Sequence, residues 1–219
     1  VFFWSDHGIG LPRAKRWLYD SGMHVPLIVR IPEQYRQKEQ GRPGSVNDEL
    51  VSLIDLAPTM LNLAGQPLPA YFQGRAFLGA SLGEPRQYVY GARDRMDERY
   101  DIIRAVRDKQ FKYLRNYLTD RPFMQPSYKD NWPVSKKFRE MMAKGEMNET
   151  QLIFFGPKKE PEELYDLDND PHEIHNLAND PKFKKQLLRH RRLLDNWIKE
   201  TGDQGLKTES DPGLLAVLK

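Results

Sequence analysis

The chain opens on Val1-Phe2-Phe3-Trp4, an unbroken apolar and β-prone run with no polar lead-in. Such a run must be paired along its edges and covered on a face, so it commits the first residues to a buried strand. The strand ends at Ser5-Asp6-His7-Gly8. There is no initial Met, and the positively charged segment and small-residue cleavage site of a signal peptide are both missing. The start therefore reads as a chain cut open in the middle of a sheet.

A second β-branched run, Val25-Pro26-Leu27-Ile28-Val29-Arg30-Ile31-Pro32, is bounded by prolines and predicts a second strand. Residues 32–47 are polar, with Gly41, Pro43 and Gly44, and predict a surface loop. From Leu56 to Ala64 the pattern suits a helix, with Asp55 placed to cap it and Pro58 in its first turn. Gly65 supplies the stop. Strand, loop, strand and helix make the closing portion of an α/β arrangement.

Gln66-Pro67-Leu68-Pro69 cannot extend that helix, because two nearby prolines remove donors and clash with the preceding turn. Beyond it the character changes. Residues 88–91 predict a strand, and residues 101–117 a hairpin turning at Asp108-Lys109. Residues 118–151 are irregular, aromatic and charged, with a helix expected over 134–144. A further strand is expected over 163–167. Phe183, Leu187, Leu194 and Ile198 share one face of an amphipathic helix over 181–201, which Gly202 ends. Two domains are expected, 1–85 and 86–219.

Composition removes several classes. At 39% hydrophobic and 11% aromatic, the chain carries enough apolar mass for a packed core, which excludes disorder as its main character. No apolar stretch reaches the roughly 18 residues of a membrane span. A net charge of +3 against 34 basic and 31 acidic residues gives no reason to expect nucleic acid as a partner. The absence of cysteine excludes disulfides, thiolate metal sites and cysteine nucleophiles within these residues.

Chemistry concentrates at the end of the first strand, since ligands of open α/β sheets bind at that rim. Asp6 and His7 offer two metal-capable side chains at a tight turn; a capping Asp beside a surface His is the alternative. Arg13, Lys15 and Arg16 follow, either as positive charge over the same rim or as a solvated basic loop. Arg93 and Arg95, on either side of Asp94, offer bidentate donors suited to a carboxylate or sulfate, or else form an ion-pair cluster with Asp97, Glu98 and Arg99. His24, His172 and His175 read as structural. The basic residues of the last helix, Lys184, Lys185 and Arg192 among them, form either a solvated face or an anion-binding surface.

A family resemblance joins these residues. Ser5-Asp6-His7-Gly8, Lys15, Leu18-Tyr19, Gly22 and residues 25–29 resemble the sulfatase stretch that supplies half of a metal site. Residues 51–61 resemble the same family, as do Gly74-Arg75 with Phe77-Leu78, Arg104-Ala105-Val106-Arg107 with residues 111–116, and residues 163–167 with Asp170-Pro171-His172-Glu173 and Asn176-Leu177-Ala178. The order is that of the family across nearly the whole chain. The insertion between 116 and 160 and the short Asp6-to-Lys15 spacing are most similar to the heparan N-sulfatase (sulfamidase) branch. At His7 the chain departs from that branch, which carries Asn there, and agrees with others, phosphonate monoester hydrolases among them.

The resemblance implies an α/β fold of the alkaline-phosphatase-like group: the end of a large mixed sheet, then a small antiparallel sheet packed by a long C-terminal helix. It implies hydrolysis of a sulfate ester or N-sulfate on a carbohydrate, in a periplasmic, extracellular or lysosomal setting. Asp6 and His7 would be ligands of a divalent cation, usually calcium (Ca2+). Lys15 would contact the sulfate as a catalytic residue, and Arg93, Asp94 and Arg95 would approach the substrate. The family's formylglycine arises from a C/S-x-P-x-R motif that does not occur in these 219 residues. It is expected in a preceding part of the fold, so this chain alone is expected not to turn over substrate. A phosphate or phosphonate monoesterase of the same group, and non-catalytic binding of sulfated polysaccharide, are the alternative readings.

Overall fold

The computed structural model describes residues 1–36, 42–96 and 99–206, with Met96 described by its backbone alone. The chain divides into two compact units, Val1–Asp6 with Pro26–Val89, and His7–Val25 with Tyr90–Lys219. The sequence places one division at 85/86. In the structure one boundary between the units lies between Val89 and Tyr90, and the stretch from His7 to Val25 groups with the C-terminal residues. Its apolar side chains explain why: Trp17, Leu18 and Tyr19 are buried in one cluster with Ile103, Leu114, Phe123 and Tyr165.

In the first unit, β1 (Phe2–Trp4) and β2 (Leu27–Val29) pair antiparallel, Phe3 opposite Ile28. Burial of the first strand was expected, yet Phe3 is 63% exposed and Ile28 60%. A two-stranded ribbon leaves one of its faces uncovered. After a 3-10 turn over Leu53–Asp55 comes α2 (Leu56–Leu63), α1 being the short Asp20–Met23 helix of the other unit. Asp55 does occupy the N-cap of α2, but its carboxylate makes no cap bond to that helix. It accepts instead from the backbone N–H of Ser52 and Arg75, each at 2.8 Å, and from the Arg86 guanidinium. Thr59 Oγ1 accepts from Phe77 N, and Asn62 Nδ2 donates to the carbonyls of Leu78 and Ser81. Three polar side chains thus stitch the Gly74-to-Ser81 stretch onto the helix. A Cβ at Gly74 would lie 2.0 Å from Ile54 O, so no larger residue fits there.

The second unit is built on one antiparallel sheet of order β3-β4-β5-β6. Its strands are β3 (Val89–Met96), β4 (Arg99–Arg107), β5 (Phe111–Asn116) and β6 (Glu162–Asp166). The expected hairpin is present, with Ile103 opposite Asn116 and Arg107 opposite Lys112. The helix expected over 134–144 is α3 (Pro133–Lys144), with Pro133 at its start and Gly145 left-handed at its end. A helix that the pattern does not predict, α4 (Glu149–Phe155), follows; Asn148 and Gln151 exchange side-chain-to-backbone bonds at its N-terminus. Phe154 and Phe155 from α4 join the core.

The long helix α5 (Lys184–Thr201) packs on β4 and β5 and buries Leu187, His190 and Leu194. Part of its basic side is spent on the sheet: Arg189 pairs with Asp108 and Arg191 with Glu162. Among the described residues, no helix is long and apolar enough to cross a membrane.

Candidate functional site

Between β1 and α1 the chain is a tight loop held by its own backbone. Gly8 N donates to Gly22 O at 3.0 Å, and Lys15 N to Ile9 O at 3.0 Å. Gly22 must be glycine, since a Cβ would lie 2.3 Å from the carbonyl oxygens of both Ala14 and Trp17. Arg13 and Arg16 adopt left-handed backbone, φ 59° and 87°, which is uncommon for residues with long side chains. Ala14 and Trp17 are buried.

The three cations expected over one rim are therefore separated. Arg13 lies 3.7 Å from the Tyr19 ring centroid and donates to His172 O at 2.7 Å and to Glu173 O, a structural tie. Lys15 and Arg16 instead line a cleft of the second unit together with Arg93, Arg99, Gln125, Lys129 and Trp132. Five cations line this cleft, and no carboxylate among the described residues does. Trp17 and Phe123 form its apolar wall.

Arg93 is only 8% exposed. Its guanidinium lies 4.1 Å from the Trp17 ring centroid and donates to Asp101 Oδ2 at 2.8 Å. Asp101 is fully buried and also receives Lys159 Nζ, at 2.7 and 2.6 Å from its two oxygens. One carboxylate thus serves two cations and leaves the group positive. Burial pushes the Arg93 pKa down, Asp101 opposes that, and Arg16 adds to it. Arg93 Nε is buried with no hydrogen-bond partner among the described residues.

Lys129 comes from a 3-10 turn, Tyr128–Asn131, that Ser127 and Asp130 cap reciprocally. It is 9% exposed, and its ammonium lies 5.2 Å from the Trp132 ring centroid. Burial lowers its pKa, and the charges of Arg16 and Lys15 lower it further. The cleft thus gathers like charges in a partly desolvated place, the arrangement that an anionic ligand would relieve.

The other expected site residues lie elsewhere. Asp94 pairs with Arg104 at 2.6 Å; Arg104 is fully buried and is also held by Asp203. Arg95 lies 5.7 Å from the Tyr100 ring centroid. Asp97 and Glu98 lie outside the described residues. Asp6 is exposed and closes the first strand segment, while His7 Nδ1 sits 2.8 Å from Gly8 O. Among the described residues, no group of three or more Asp, Glu or His side chains could hold a metal ion. Two such side chains fall short of the six to eight oxygens that calcium takes.

Of the residues that line this cleft, Lys15, Arg16 and Arg93 are candidates named from the sequence, and Lys129 and Trp132 are not. The signal available was the cation interleaved with aromatics in Tyr128-Lys129-Asp130-Asn131-Trp132.

Comparison with known proteins places this cleft in context. An ulvan-active sulfatase of Formosa agariphila is 41% identical over 212 residues, covering 96% of this chain and 35% of the relative. Human N-sulphoglucosamine sulphohydrolase is 32% identical over 221 residues, covering 93% of this chain and 42% of the relative. Among solved structures, one described as a 2-O GAG sulfatase superposes with a TM-score of 0.63 at 26% identity, covering 98% of this chain and 39% of that one. The chain thus spans some 35 to 42% of the length of these curated relatives. Residues 12–125, which include Lys15, Arg16, Arg93 and Arg99, match the family described as N-sulphoglucosamine sulphohydrolase, C-terminal. With just over half of its length inside that match, and with the fold of its solved neighbours, this chain belongs to the N-sulphoglucosamine sulphohydrolase C-terminal family of the sulfatases.

Proposed function

We propose that the cleft is the substrate side of a sulfatase-type hydrolase acting on a sulfated carbohydrate, with a sulfate ester or an N-sulfate as the reacting group. The observation that carries this reading is the lining of five cations without a carboxylate among the described residues. In the reaction the S–O or S–N bond breaks, water supplies the new oxygen on sulfur, and the sugar hydroxyl or amine leaves with a proton. Charge moves across the sulfuryl oxygens as this happens. Lys15 is assigned to bind and neutralise those oxygens. Arg93, fixed by Asp101 and Trp17, is assigned to orient the anionic substrate.

Asp6 and His7 are proposed as two ligands of a divalent cation, calcium by resemblance, completed by groups outside the described residues. When bound, such a cation adds positive charge at the sulfate. The nucleophile is assigned to residues beyond these, because no C/S-x-P-x-R motif occurs in the chain. The chain alone should therefore bind without releasing sulfate. A periplasmic, extracellular or lysosomal setting accompanies this reading.

The test is Lys15→Ala in the complete enzyme. kcat/KM on a sulfated saccharide should fall about 10²- to 10³-fold, the scale for loss of one transition-state donor, with the thermal melt unchanged. Near-normal turnover would remove Lys15 from the reaction. Paired assays on matched sulfate and phosphate esters decide between sulfatase and phosphatase or phosphonatase chemistry.

A further inference from the structure

We propose that Lys129 and Trp132 form a second anion subsite of the cleft, which takes a further anionic substituent of the saccharide whose sulfate Lys15 binds. The inference rests on the reading of the cleft as a sulfated-carbohydrate site, and extends it from one charged group to two.

Lys129 is only 9% exposed as a residue and lines the cleft, with no carboxylate paired to its ammonium among the described residues. The adjacent acid cannot serve, because Asp130 is already engaged. Its Oδ1 accepts from Arg139 at 2.7 Å, and its Oδ2 accepts from Ser127 N at 3.3 Å. Asp101, the carboxylate that holds Arg93 of the same cleft, is committed to Lys159 and Arg93. A partly desolvated charge without a counter-charge is unfavourable, and like charges beside it add to the cost. Proteins tolerate such costs mainly where a ligand relieves them.

Two further observations point the same way. Arg16 reaches the cleft from backbone at φ 87°, an unfavourable conformation for a long side chain, and its guanidinium lies 4.7 Å from the Tyr128 ring centroid. Strain of that kind persists where the surroundings hold it in place. Trp132 is 38% exposed beside Lys129, so part of its indole remains available to a ligand. An aromatic surface next to a buried cation suits a pyranose ring that carries an acidic substituent: the ring's C–H face packs on the indole while the acid meets the ammonium. That second acid is a carboxylate or a sulfate.

The experiment uses the complete enzyme, with its nucleophile replaced so that probes bind without turnover, and isothermal titration with three disaccharides. One carries a sulfate and a uronate carboxylate, the second is its carboxyl-reduced counterpart, and the third is the reduced form with a second sulfate. The enzyme with an unaltered cleft should prefer the first or the third over the second, and whichever it prefers identifies the acid. Lys129→Gln should cost about tenfold on the preferred probe, on the scale of one charge-assisted hydrogen bond, and less than twofold on the reduced one. Lys129→Arg, which keeps the charge, should retain the preference. Lys15→Ala should weaken all three probes alike.

Equal losses across the probes in Lys129→Gln, or no loss, would overturn the subsite while leaving Lys15 untouched. A chain that does not discriminate among the probes overturns it too. Full binding by Lys15→Ala, with the Lys129-dependent preference intact, would overturn the role of Lys15 and leave the subsite standing. No binding of any probe counts against both.

Discussion

Two buried lysines in the same unit are treated in opposite ways. Lys112, on β5, is fully buried and sits between two carboxylates, 2.8 Å from Asp20 and 2.9 Å from Glu173. Arg107 approaches Asp20 as well, at 3.5 Å. Lys129 is nearly as buried but has cations for neighbours and aromatic rings for walls. The first arrangement is internally neutralised and needs no ligand. The second is neutral only with an anion in place. Burial of a charge by itself thus says little about function; what matters is whether the fold provides its counter-charge.

The largest way to break the comparison is to remove the compensated lysine. Lys112→Met strands Asp20 and Glu173 without their cation, and unfolding free energy in urea should fall by about 3–5 kcal/mol, the range for breaking a buried pair. Glu173 softens this, because burial already raises its pKa and it can take up a proton. A loss below 1 kcal/mol would mean that the Asp20–Lys112–Glu173 group is not a stabilising unit.

A smaller effect separates the clusters by pH. Burial pushes the Asp20 carboxyl up, but hydrogen bonding with His24 and the ammonium of Lys112 outweigh it and hold the pKa well below the usual carboxylate range. A carboxyl depressed in the folded state stabilises at pH above its unfolded value, about 3.9, and loses that contribution as pH falls toward its folded one. Urea midpoints should therefore drop below about pH 4, and Asp20→Asn should flatten that part of the profile. An unchanged slope in the variant would assign the acid sensitivity to other groups.

The smallest effect has the opposite sign. Lys129→Met removes a partly desolvated cation from among cations, so stability should hold or rise by about 1 kcal/mol, and the gain should vanish in sulfate-containing buffer. Lys129 is a base whose folded pKa is lowered. Between that value and about 10.4 the unfolded chain holds more protons, so its contribution to stability rises with pH across this window. The difference between parent and variant melts should narrow accordingly as pH increases. A destabilised Lys129→Met would show that the ammonium has found a partner within the fold.

Much of the architecture is legible along the chain, for local reasons. Alternation in residues 101–117 marks a hairpin because side chains on a strand face opposite sides in turn. Leu56–Leu63 reads as a helix from its flanking Asp55, Pro58 and Gly65. What is not legible depends on distant partners. Asp55 looks like a cap, yet its carboxylate goes to Arg75 and Arg86. The α4 segment Glu149–Phe155 carries two adjacent phenylalanines that suit a strand equally well, and only its Asn148–Gln151 capping pair favours a helix. The membership of His7–Val25 in the C-terminal unit follows from where Trp17 and Tyr19 are buried, and spacing does not encode that.

The sequence by itself determined the succession of elements, the exclusion of thiol chemistry and the motifs shared with the sulfatases. It also placed a surplus of cations near Lys15. Tertiary structure decided which of those cations are spent. Arg13 closes on Glu173 across 160 residues and Lys112 on Asp20 across 92, while Lys15 and Lys129 meet in a cleft lined by no acid among the described residues. Charge is a property of each residue, but its compensation is a property of the fold, because a counter-ion must lie within a few ångströms in space whatever its distance along the chain.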